Sequence, residues 1–138
     1  KVEITEEATA TAAAPEEFQW PDPIEPLLAS ADASAGEALV RRCTACHTLE
    51  KGGANRVGPN LFDIVNADKA HIDGFAYSTA MAEAEGTWTY ENLSRFLFSP
   101  RDYTPGTKMN FAGLRRDADR ANLIVYLRTL SDNPAPLP

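Results

Sequence analysis

Cys43-Thr44-Ala45-Cys46-His47 is the stretch on which the reading of this chain turns. Two thiols two residues apart, followed at once by an imidazole, suit one job. Each sulfur can add to one vinyl group of a porphyrin, and the histidine of the same turn then meets the central iron. Other uses of paired cysteines need company that is missing here. A redox CxxC belongs to a βαβ pattern, and a zinc site wants a second ligand pair. Cys43 and Cys46 are the only cysteines, and His71 is the only other histidine. The pentapeptide therefore reads as the attachment point of one covalently bound c-type haem, with His47 as an iron ligand.

Upstream, the helix that delivers this motif is expected to open near Ser34. Ser34-Ala35-Gly36-Glu37 fits a capping box, and Ala38, Leu39, Val40 and Cys43 continue at helical spacing. Gly36 in the first turn lowers helix propensity, which points to close approach of another helix or a frayed start. Before it, residues 1–32 are rich in Ala, Thr, Glu and Pro, and residues 1–35 hold eight acids against Lys1 alone. That composition predicts a flexible tether ahead of a domain at 33–138. A coil of this length has a root-mean-square span of roughly 30 Å and a stretched reach of about 100 Å. The patch Phe18-Gln19-Trp20-Pro21 with Ile24, Leu27 and Leu28 is less polar; it is read as unpacked linker in preference to a docked segment.

Downstream, Thr48 to Leu61 is a loop by its glycines and Pro59. A short helical piece is expected at Leu61 to Val65, irregular chain at Asn66 to Gly74, and a weak helix at Ser78 to Glu85. Thr89 caps a better helix through Tyr90, Leu93, Phe96 and Leu97, stopped by Ser99-Pro100. Thr104-Pro105-Gly106-Thr107-Lys108-Met109 is a turn that presents a methionine. Leu123, Tyr126, Leu127 and Leu130 mark a last helix, with Asp117 near its start and Pro134 beyond its end. No alternating strand pattern occurs, so the fold class is all-α.

The net charge of −7 lies in the N-terminal segment, and from Gly36 onward acids and bases balance at twelve each. That balance and the lack of a binding motif exclude nucleic acid as a partner. No apolar run reaches the roughly 18 residues a membrane span needs, and the chain opens at Lys1 without a signal peptide, as a processed or trimmed product would. The second iron ligand decides the class of function. An open position means ligand binding or catalysis, a filled one electron transfer. Met109 in its turn and Met81 in the weak helix are candidates, with His71 third; Met81 is better explained by packing and His71 as a solvated loop residue.

From about Asp32 to Leu130 the chain resembles a class I cytochrome c. The resemblance rests on the first helix, the Cys43–His47 motif, Gly58-Pro59-Asn60-Leu61, Gly74-Phe75-Ala76-Tyr77-Ser78, Trp88, Pro105-Gly106-Thr107-Lys108-Met109 and the last helix. It implies four or five helices wrapped around one haem, with His47 and Met109 as the axial pair. It also implies that the Pro59 carbonyl accepts the N–H of His47, that Tyr77, Ser78, Trp88 and Thr107 hydrogen-bond the propionates or nearby buried water, and that Gly36 crosses the last helix near Tyr126. Two positions depart from the mitochondrial pattern: Phe96 stands where a tyrosine would reach the methionine sulfur, and Ala67 where an arginine would lie near a propionate. Both bear on the potential.

The acidic linker is similar to that of membrane-anchored bacterial cytochromes c. The resemblance then implies a monomeric one-electron carrier, and no enzyme, on the periplasmic side of the inner membrane. It would run between the cytochrome bc1 complex and an aa3-type cytochrome c oxidase. Arg41, Arg42, Lys51, Arg56, Lys108, Arg115, Arg116 and Arg120 are expected to ring the haem edge and to steer it to acidic docking surfaces.

Overall fold

Six described helices, all short except the fourth and the sixth, make up the computed structural model, which describes residues 18–138. They are α1 (Glu25–Leu28), α2 (Ala33–Leu39), α3 (Thr79–Ala82), α4 (Tyr90–Phe98), α5 (Pro100–Tyr103) and α6 (Asp117–Thr129), with a 3-10 turn at Val40–Arg42 after α2. Among the described residues there is no strand, only an isolated antiparallel bridge between Asp68 and Thr87, and the all-α expectation holds. No described helix is long and apolar enough to cross a membrane.

The frame is the crossing of α2 over α6. A Cβ on Gly36 would stand 2.0 Å from the carbonyl oxygen of Asn122 and 2.8 Å from Cβ of Tyr126. Only glycine lets the two backbones approach this closely. α6 buries Ala121, Leu123, Ile124, Val125 and Leu127. Leu93, Phe96 and Leu97 of α4 join the same core. Thr89 caps α4 as expected, its hydroxyl accepting from Asn92 N at 3.1 Å. Ser99, extended before Pro100, ends it, and Pro100 opens α5, which was not foreseen. Arg120 is the largest fully buried side chain. Its guanidinium donates to Ser94 Oγ and to the carbonyls of Leu114 and Arg115, each at 3.0 Å, and pairs with Asp117.

Four expectations are corrected. The cap of α2 is Asp32, whose carboxylate accepts from Ser34 N at 2.9 Å, so the helix starts at Ala33 with Ser34 inside it. The Asp32 N–H donates to Asn122 Oδ1 at 2.8 Å, which holds Asp32 in the extended conformation a cap needs. Leu61 to Val65 is not helical: Asp63 and Asn66 take positive φ of 65° and 67° and break any helical run. The weak helix over Ser78 to Glu85 contracts to α3, with Ser78 as its cap.

The fourth concerns the tether. Residues 1–17 of it lie outside the described residues, but the patch read as unpacked linker lies on the domain. Ile24 is 0% and Leu28 1% exposed. The Ile24 and Glu25 N–H groups, free at the start of α1, both donate to the Glu91 carboxylate at about 3 Å. Trp20 meets Phe98 at 6.4 Å and Tyr103 at 5.9 Å between ring centroids. Glu91, Arg95 and Phe98, which receive this strap, lie on the face of α4 away from the cavity-lining Leu93, Phe96 and Leu97.

Candidate haem-binding cavity

The residues singled out from sequence converge on one cavity of about 220 Å³. Cys43, Cys46, His47, Pro59, Tyr77, Ser78, Trp88, Thr107 and Met109 all line it. The tight turns after α2 bring the first three there. Cys43 N donates to the Val40 carbonyl at 2.7 Å and His47 N to the Cys43 carbonyl at 2.9 Å, so both thiols and the imidazole sit on one compact coil.

His47 is the most constrained of them. Its Nδ1 lies 2.6 Å from the Pro59 carbonyl oxygen. A carbonyl only accepts, so Nδ1 carries the proton and Nε2 keeps its lone pair. Burial pushes the His47 pKa below its ordinary value, against the opposing pull of the Pro59 hydrogen bond, and this favours the neutral imidazole that metals bind. The loop behind it is fixed in turn. Gly58 N donates to the Cys46 carbonyl at 2.7 Å, and a Cβ on Gly58 would come within 2.2 Å of His47 Cε1. Buried Asn60 donates from Nδ2 to Thr48 Oγ1 and to the Glu50 carbonyl, both at 2.9 Å. Gly58 and Asn60 brace the loop behind His47, a part that sequence reasoning did not give them. The signal was present in Gly58-Pro59-Asn60, since a glycine beside a proline in a motif loop marks a close backbone approach.

The opposite segment is more lightly held. Met109 N donates to Thr107 Oγ1 at 3.2 Å, Thr107 N to the Thr104 carbonyl at 2.9 Å, and Lys108 Nζ to the Ala76 carbonyl at 3.1 Å. Tyr77 OH accepts from Ile72 N at 3.0 Å, which leaves its own proton available. Burial raises the Tyr77 pKa, with the Ile72 contact lowering and Asp73 raising it, so the phenol is a donor at neutral pH. Ser78 Oγ accepts from Met81 N at 3.1 Å and likewise keeps a proton to give. Trp88 is 5% exposed and lines the cavity, and its indole N–H makes no hydrogen bond among the described residues. Phe96, the departure noted above, lines the same cavity, as do Met81 and the exposed His71.

These features fit a haem. Two free thiols, a neutral imidazole with Nε2 unused, a thioether, a glycine where any Cβ would collide with the imidazole, and an unpartnered buried indole donor share one largely apolar pocket. Burial, aided by Cys46 and opposed by Arg42, raises the Cys43 pKa. Among the described residues no three His, Cys, Asp or Glu side chains gather to hold a metal ion, so the cysteines lack zinc partners.

The basic collar is only partly present. Arg42 and Lys108 line the cavity, and exposed Arg56 donates to the Thr44 carbonyl at 3.1 Å beside it. Val57, 74% exposed, adds an apolar contact at the same place. Arg120 is excluded by complete burial, Lys51 is engaged with Asp132, and Arg115 lies over the Phe98 ring at 4.6 Å.

Residues 33–131 match the cytochrome c family. The chain is 48% identical over 118 residues to a cytochrome c homolog of Bradyrhizobium diazoefficiens, covering 85% of this chain and 64% of that one. It is 46% identical over 108 residues to the cytochrome c-type cyt cy of Rhodobacter capsulatus, covering 78% and 53%. It is 43% identical over 98 residues to cytochrome c of Chlamydomonas reinhardtii, covering 70% and 88%. The chain thus spans somewhat less than two thirds of the length of the bacterial relatives it matches.

Proposed function

The chain belongs to the cytochrome c family, whose members carry covalently attached haem c and transfer electrons, and from that premise we propose that it shuttles single electrons between the bc1 complex and an aa3-type oxidase. Cys43 and Cys46 would hold the haem by thioethers, His47 and Met109 would ligate its iron, and Pro59 fixes the His47 tautomer. Tyr77, Ser78, Trp88 and Thr107 supply hydrogen bonds around the pocket. When bound, the haem supplies a reversible one-electron couple. The chain's part is to keep both axial ligands in place, to exclude water, and to leave one edge accessible for exchange.

One observation carries this reading: the His47 imidazole, with Nδ1 committed to Pro59, lines one cavity together with both thiols and Met109. An absorption spectrum tests it. The weak far-red band of thioether sulfur on ferric haem is expected, and carbon monoxide should leave the reduced spectrum unchanged. A missing band with ready carbon monoxide binding would replace the carrier by a sensor or enzyme with an open iron.

Arg42, Arg56 and Lys108 around Val57 make the docking edge and favour an acidic partner surface. The rate of electron exchange with the oxidase should fall as salt rises; a flat response up to about 0.2 M would remove charge steering from the account. The acidic Ala/Glu/Pro-rich stretch before the domain supports attachment to the periplasmic side of the inner membrane. Fractionation of the full-length protein checks this, with recovery in the membrane pellet expected.

A further inference from the structure

The sequence reading gave Lys69 no role, yet it holds an unusual position. Residues 66–69 lie along residues 86–88. Asn66 N donates to the Trp88 carbonyl and Trp88 N to the Ala67 carbonyl, both at 2.8 Å, and Lys69 N to the Gly86 carbonyl at 3.1 Å. This pairing sets the Lys69 side chain across the Trp88 indole. The ammonium lies 5.1 Å from the Trp88 ring centroid and 4.6 Å from that of Tyr103, and it donates to the Tyr103 hydroxyl at 2.8 Å. Tyr103 is itself braced by Trp88 at 6.2 Å, Phe96 at 6.3 Å and Trp20 at 5.9 Å. Lys69 is half-buried and makes no ion pair with a carboxylate among the described residues. Its charge is therefore directed at two aromatic rings, one of which is a wall of the cavity.

We infer that Lys69 is a positioning residue that acts through Trp88 to raise the reduction potential of the bound haem. A cation on the face of an indole is attracted to its π-cloud and draws electron density from the ring. That fixes the ring's orientation and makes the N–H a stronger donor. Trp88 is buried and lines the cavity, and its N–H makes no hydrogen bond among the described residues, so the strengthened donor would serve the carboxylates of the bound group. Reduction adds one negative charge to the haem, and a stronger donor together with a nearby fixed cation favours the reduced form. The inference rests on the haem reading above, and Lys69 itself touches neither haem nor substrate.

The test is a redox titration of the haem-loaded protein and of Lys69→Met, Lys69→Arg and Lys69→Gln, each first checked for the far-red band. Lys69→Met is expected to shift the midpoint potential downward with the band retained. Lys69→Arg, whose planar cation also stacks on aromatic rings, keeps the parent value. In proton NMR of the reduced proteins, the Trp88 indole N–H resonance moves upfield in Lys69→Met and stays in place in Lys69→Arg. A parent-like potential in Lys69→Met overturns the inference, as does an equal fall in Lys69→Arg. Should Lys69→Met fail to hold haem, Lys69→Gln decides: it keeps a donor for Tyr103 but no charge, and an unshifted potential again overturns the inference. Absence of the far-red band from the parent as well would instead mark failure of the underlying haem reading.

Discussion

The two sides of the cavity are built to different standards. On the histidine side, the imidazole is tied to Pro59, overlain by Gly58, and backed by Asn60, whose amide donates to Thr48 Oγ1 and the Glu50 carbonyl. On the methionine side, a Pro-Gly turn rests on one Thr107 contact and leans on the 70–78 loop through an exposed lysine. Gly106 and Gly74, at φ of 89° and 85°, have little or nothing packed over them. One of the two proposed ligands is over-determined and the other is held by a few separable contacts. The methionine side is therefore expected to open first, because local opening follows the segment with fewest buried contacts.

The largest expected effect breaks the stronger side. Gly58→Ala puts a Cβ 2.2 Å from His47 Cε1, and one of the two must move. A loss of about 3 kcal/mol in unfolding free energy is expected, with a poor yield of haem-loaded protein. A stable, fully loaded Gly58→Ala would show that the loop has slack. Asn60→Ala removes the Nδ2 bonds to Thr48 Oγ1 and the Glu50 carbonyl and should cost about 2 kcal/mol by denaturant titration. The far-red band should survive this change, since it reports the other side.

On the weaker side, Thr107→Val removes a single contact to Met109 and is expected to cost about 1 kcal/mol globally. Its clearer signature is spectroscopic: in a denaturant titration the far-red band should vanish well before helical circular dichroism, and the gap should widen in the variant. Coincident transitions in both proteins would mean the two sides are one cooperative unit. The smallest effect concerns Tyr77, whose raised pKa keeps it protonated in the fold. The unfolded chain ionises first, near pH 10. Its stability contribution is therefore present below that pH and is lost as the pH rises through the higher folded value. Tyr77→Phe should flatten the alkaline decline of the denaturation midpoint slightly, and an identical decline in both proteins would count against this.

What could be read from the sequence divides along the same physical line. Covalent attachment imposes its own spacing, so Cys43, Cys46 and His47 needed no tertiary information. α6 declared itself through the period of Leu123, Tyr126, Leu127 and Leu130. The cap of α2 did not, because Asp32 and Ser34 are both good caps and the choice is made by Asn122, ninety residues away. The burial of Ile24 and Leu28 was hidden in an acidic, proline-rich segment, since the carboxylate that caps α1 lies 67 residues further on. Arg120 reads as one of the charges ringing the haem edge, and only the fold brings Ser94 and the Leu114 and Arg115 carbonyls to its donors. Local chemistry was legible, whereas choices between equally good local options were made by distant partners.

The strap at 18–32 also settles how the domain would bear load. Tension arriving from the N-terminal direction first meets the wedged Trp20, then the Glu91 carboxylate gripping Ile24 and Glu25, and then the Asn122 clamp on Asp32. Force is shunted into α4 and α6 before it reaches α2 and the cysteines beyond. The strap works as a strain relief, like the collar that keeps a pull on a cable from reaching its soldered joint.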